Sequence, residues 1–214
     1  MRWIDKLERR YGRYGIPNLL NGILIGQVVV WLLVLFINQN LLYLLPLSRS
    51  GVLHGEIWRL LTFMFVPSSL QPFSLLLSLY FYWWIGNALT RAWGDFRFTV
   101  YILAGMVGAW LSCFITGAAS SSGLFLSLFF AYAWMWPDQQ VLLFFILPIK
   151  MKWMGWVSLA MWVLQFITGT LSTRVSLVFG LAGFLLFFGK ELYFWAHDLI
   201  VNRKRRQNWK NQWK

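Results

Sequence analysis

The residues of this chain best suited to chemistry are three serines in a row. Ser120, Ser121 and Ser122 run directly into Gly123, inside a stretch that is otherwise apolar. A serine hydroxyl attacks a carbonyl only when a neighbouring base takes its proton, so the chemistry depends on which base is available. The chain has two histidines, His54 and His197, and they lie far from Ser122 in sequence. Cys113 is the single cysteine, which excludes an intramolecular disulfide and any cysteine-cluster metal site. No metal site and no cofactor is expected.

The elements that must position Ser122 follow from composition. Of 214 residues, 59% are hydrophobic and only 12% charged, against roughly 45–50% and 25% in soluble domains. Too little polar surface remains to cover a water-soluble globule, and disorder requires low hydrophobicity. The chain therefore reads as an all-α, polytopic membrane protein. A membrane helix needs about 20 mostly apolar residues without central charge. Six stretches qualify: Leu19 to Ile37, Pro72 to Leu89, Phe98 to Ile115, a short Ser122 to Trp136, Trp153 to Gly169, and Val175 to about Trp195. Residues 1–18 are then a basic N-terminal segment, 19–196 the six-span membrane domain, and 197–214 a basic tail. The apolar run Val141 to Ile149 is too short to cross and is expected in the interface.

Six crossings put both termini on one side. All basic residues except Arg49, Arg59 and Arg174 then fall on that terminal side, and the positive-inside rule makes it cytoplasmic. The expected location is a plasma membrane. The charged start precedes a full-length hydrophobic span with no small-residue cleavage site, so it is expected to be retained rather than removed as a signal. Arg203, Lys204, Arg205 and Arg206 are expected to hold anionic lipid headgroups. Because juxtamembrane charge explains the basic balance, no nucleic-acid partner is expected.

Within the membrane the polar residues are few. Asn21, Asn38 and Asn87 lie near helix ends, whereas Gln27 and Gln165 are deeper and are expected to bond between helices. No aspartate, glutamate or histidine falls at mid-membrane depth. Small residues at packing distance, such as Gly22 with Gly26, Gly105 with Gly108 and Gly180 with Gly183, imply a compact bundle.

Four phrases are more specific: GEIWRLLTFMF from Gly55, with Trp58 and Arg59; LTRAWGDFRFTVYILAG from Leu89, with Trp93 and Gly94; SSSGLF from Ser120; and VSLVFGLAG from Val175. In this order they resemble the rhomboid family of intramembrane serine proteases and their inactive relatives, over roughly Gly55 to Gly189. The tryptophan-arginine phrase is also similar to that of the derlins. The resemblance implies a six-helix rhomboid-like bundle in which Trp58, Arg59, Trp93, Gly94, Gly123 and Gly183 serve the fold.

Active members of the family use a serine in a G-x-S-G phrase heading the fourth span and a histidine in the sixth. Ser122 and Gly123 match the serine position, with Ser120 in place of the leading glycine. Gly180 falls where the histidine belongs. Ser74 and Ser78 fall at the oxyanion positions, which in the family carry histidine and asparagine. Thr90 replaces the family's usual glutamate. By resemblance, then, the expectation is a pseudoprotease that binds transmembrane segments of client proteins, with Ser122 expected to cap its helix. Two alternatives stand beside it: an active protease in which Ser122 recruits His54, or water alone, as base, and a small carrier or channel, which the missing intramembrane charge opposes.

Overall fold

The computed structural model describes residues 2–143, 147–194 and 197–198. Trp195 and the basic tail with Arg203, Lys204, Arg205 and Arg206 lie outside the described residues. Helix α1 (Arg2–Tyr11) leads through a 3-10 turn (Gly12–Tyr14) to α2 (Leu19–Phe36). A connection follows that carries the short helices α3 (Leu41–Leu44), α4 (Arg49–Leu53) and α5 (Arg59–Thr62) and the two-residue strand β1 (Leu47–Ser48). Helix α6 (Pro72–Trp93) starts on a proline whose missing N–H costs nothing in a first turn. At Gly94 the chain takes φ +81°, open to glycine and strained for other residues, and α7 (Asp95–Thr116) begins. Strand β2 (Ala118–Ala119) precedes α8 (Ser122–Met135).

Between α8 and α9 (Met151–Thr168), the expected interfacial run forms an antiparallel hairpin of β3 (Gln140–Leu143) and β4 (Leu147–Lys150), in register Gln140 to Lys150. Lys150 and Lys152 lie 3.5 and 3.3 Å from Asp138 at its base. The hydrogen bond and charge of Lys152, together with the charge of Lys150, hold the Asp138 carboxyl below its ordinary value.

Helices lie on all six stretches read from the sequence as spans, with one correction. The expected continuous sixth span is two helices, α10 (Leu171–Gly180) and α11 (Ala182–Phe194), bent by 70°. Glycine in the phrase FGLAG weakens the helix, and close backbone approaches hold the bend on both sides. A Cβ on Gly180 would stand 2.9 Å from Gly123 Cα, and one on Gly183 would stand 3.1 Å from the Tyr101 carbonyl oxygen. On length and apolarity, α2 and α7 each suffice to cross a bilayer, and the bent pair adds a third. Helices α6 and α9 are 22 and 18 residues long, and tyrosine and tryptophan dilute their aliphatic content.

In lipid, packing and hydrogen bonding hold helices together rather than exclusion from water. Trp93 packs on Tyr101, Phe187 and Phe188 with centroids 5.3 to 5.9 Å apart, tying the turn between α6 and α7 to α11. Tyr82 on α6 meets Phe125 on α8 at 4.6 Å. Gly105 admits the Leu124 side chain, and Gly108 lies against the Phe179 carbonyl and Ala182, whereas Gly22 has nothing within 4 Å and is not a packing position. Gln27 is buried and its amide donates to the Met64 carbonyl at 2.9 Å, while Gln165 is exposed.

Candidate functional site

The Ser120–Ser122 turn is fixed from both sides. Helix α7 ends where Gly117 takes φ +97°, its N–H donating to the Cys113 carbonyl at 2.8 Å. The Thr116 hydroxyl donates to the Ser112 and Ala118 carbonyls. Strand β2 then pairs with β1, Leu47 opposite Ala119, and the Arg49 N–H donates to the Gly117 carbonyl at 2.8 Å.

Behind β1 stands Arg59. It is only 7% exposed. Its Nε donates to Glu56 at 2.5 Å, and its Nη1 donates to the Tyr43 and Pro46 carbonyls at 2.9 Å each. The Thr62 hydroxyl adds a bond to the Leu45 carbonyl, and the Trp110 indole donates to the Leu60 carbonyl. One buried guanidinium thus satisfies the carbonyls of a loop that has little regular structure of its own. Trp58, its sequence neighbour, is half exposed.

Ser122 is not the N-cap of α8. Ser121 occupies that position without a side-chain cap bond, and Ser122 is the first helical residue. Ser121 has helical backbone angles, which leaves its hydroxyl out of reach of the first-turn N–H groups. Instead the Ser122 and Ser120 hydroxyls bond to each other at 2.6 Å.

Two cavities flank this pair. One, of about 110 Å³, lies among α7, α8, α9 and α10, and is lined by Ser112, Trp162, Thr173, Ser176 and Gly180 as well as Ser120 and Ser122. The other, of about 270 Å³, is lined by Gln27, Phe63, Pro67, Ser68, Tyr82 and the three serines. In the first, the Ser112 hydroxyl donates to that of Ser176 at 3.0 Å, joining α7 to α10 across 64 positions of sequence. Nothing in the sequence marks these two serines, since each reads as an ordinary polar residue of an apolar helix.

No histidine, lysine, arginine or carboxylate lines either cavity among the described residues. His54 is exposed beyond α4, its Nδ1 2.7 Å from the Ser50 carbonyl oxygen. His197 stacks on Tyr193, past α11. Ser74 is exposed on α6. Ser78 donates to the Leu75 carbonyl at 2.8 Å and lies 3.1 Å from the Ser68 hydroxyl, so it stands behind a lining residue and not beside Ser122. Gly180, in contrast, is brought against Gly123, one residue from Ser122. Cys113 is buried. Among the described residues, no three of His, Cys, Asp and Glu converge as metal ligands. The arrangement offers hydroxyl and indole hydrogen-bonding groups around a serine, with no basic side chain beside it among the described residues.

Fold and site together define an all-α intramembrane protein built around a serine-headed helix. The Rhomboid domain family model matches residues 54–196, and the chain belongs to the rhomboid family. No curated protein and no solved structure matches it.

Proposed function

We propose that this rhomboid-family protein is a pseudoprotease that binds transmembrane segments of client proteins without cutting them. The observation that carries the reading is the surroundings of Ser122: its hydroxyl bonds to that of Ser120, and glycine stands at the position the family resemblance gives to the base. A serine without a base keeps its proton and is a weak nucleophile. Loss of one member of a serine–base pair costs on the order of 10⁶ in turnover.

Binding is supported by the shape of the bundle. Helix α8 has 14 residues, or about 21 Å at 1.5 Å per residue, against a hydrocarbon core of about 30 Å. Such mismatch favours local thinning and association with other helices. Helix α9 buries only Met151, so most of its surface is open to a partner helix. The chain crosses a plasma membrane six times with both termini cytoplasmic, and the tail from Arg203 to Arg206 holds anionic headgroups.

The test is labelling of the reconstituted chain with a serine-directed fluorophosphonate, together with a reporter segment carrying helix-breaking residues. The expected result is no labelling, no cleavage, and co-purification of the intact reporter. Labelling that Ser122→Ala abolishes would overturn the reading in favour of an active protease using Ser122. Solute flux through proteoliposomes above background would instead indicate a carrier or channel.

A further inference from the structure

The residues before α2 fall outside the family match, which begins at residue 54, and they are docked. Ile4 of α1 is 2% exposed and belongs to the main core. Glu8 accepts from Arg97 Nε at 2.9 Å and from Nη2 at 2.7 Å. The Ile16 N–H donates to the Thr99 hydroxyl at 3.1 Å, and that hydroxyl donates to the Asp95 carbonyl at 2.7 Å. A Cβ on Gly15 would stand 2.6 Å from the Phe96 amide nitrogen, so glycine is what permits the approach. Helix α1 is therefore held at the first turn of α7, a helix long and apolar enough to cross the bilayer. That places it at the level where a bilayer's headgroups begin.

The outer surface of this hook is of two kinds. Arg9, Arg10 and Arg13 are exposed. Beside them Leu7, Tyr11, Tyr14 and Ile16 are 38%, 43%, 76% and 51% exposed. The Tyr11 and Tyr14 rings lie 6.3 Å apart, and the Arg10 guanidinium sits 5.6 Å from the Tyr11 centroid. Cations next to exposed aromatic and aliphatic groups suit a surface that is charged outside and apolar within. Soluble acidic proteins match the arginines but leave the apolar side chains in water. An anionic bilayer satisfies both, because tyrosine rings settle at the headgroup level and the guanidinium groups reach lipid phosphates.

We propose that α1 and the turn after it form an interfacial anionic-lipid site in which Arg9, Arg10 and Arg13 bind the phosphates of negatively charged headgroups. The proposal is independent of whether Ser122 is active. The test uses the full chain reconstituted in phosphatidylcholine vesicles containing a minority of phosphatidylglycerol. Electron spin resonance of spin-labelled phosphatidylglycerol and phosphatidylcholine then gives their relative association with the protein.

The wild type is expected to prefer phosphatidylglycerol, and R9Q/R10Q/R13Q to reduce that preference by up to about fivefold per arginine removed. High salt should weaken it in the same direction. Arg13→Gln alone lies outside α1 and provides the test if the triple variant fails to fold. Preference lost only in R203Q/K204Q/R205Q/R206Q, and retained in the arginine variants, would overturn the proposal. So would unchanged lipid preference with loss of RNA-oligonucleotide binding, which would make the surface a nucleic-acid site.

Discussion

Replacing Gly123 with alanine probes the close approach of α8 to α10 beside Ser122. The added Cβ would stand 2.7 Å from Gly180 Cα, closer than two carbons approach without displacement. The neighbour is backbone, so no side-chain rotation relieves it and α8 must move from α10. Overpacking of this kind costs about 1–3 kcal/mol, and a rigid backbone obstacle argues for the upper end. Alanine returns up to about 1 kcal/mol in helix propensity, leaving about 2 kcal/mol net. At about 2–4 °C per kcal/mol for a chain of this size, the melting temperature should fall by about 4–8 °C.

Gly22→Ala is the internal control, because Gly22 lies in α2 with nothing within 4 Å. It should be neutral or raise the midpoint by a few degrees, roughly the propensity gain alone. Intrinsic fluorescence of the 15 tryptophans reports both transitions in the same detergent. If Gly123→Ala and Gly22→Ala melt together, the glycine contact is not close and the reasoning fails. The same geometry bears on function. A side chain at Gly180 would place its Cβ 2.9 Å from Gly123 Cα, so Gly180→His should destabilise the bundle and leave Ser122 unlabelled by fluorophosphonate.

Two further outcomes follow from charged groups. Arg59→Met leaves Glu56 and the Tyr43 and Pro46 carbonyls without their shared donor; the loss should be about 3 kcal/mol, with Glu56→Gln costing less, read from the same melting curves. Asp138 should titrate below the usual carboxylate range by carbon-13 NMR, and Lys152→Met should bring its midpoint up toward it, since the Lys152 hydrogen bond is the largest cause of the shift. With the folded pKa depressed, the brace at the hairpin base is present above the ordinary carboxylate pKa. It is lost as pH falls through the lowered value. An unshifted midpoint in the wild type would remove this account of the hairpin.

What the sequence determined by itself is what depends on local composition. Uninterrupted apolar runs placed α2, α7 and α8 within a few residues, Pro72 set the start of α6, and the four phrases in order carried the family. Charge content excluded a soluble enzyme, and the count of histidines restricted the bases available to Ser122. The tertiary structure decided what depends on residues far apart in the chain. The 70° bend at Leu181 arises where Gly180 and Gly183 meet Gly123 and Tyr101 from other helices, so hydropathy read along one segment shows no break there. Docking of α1 rests on Glu8 with Arg97, 89 positions apart, and the wall of the smaller cavity rests on Ser112 with Ser176. A residue's own type fixes whether it favours lipid or water; only the packed bundle fixes which other residue it meets.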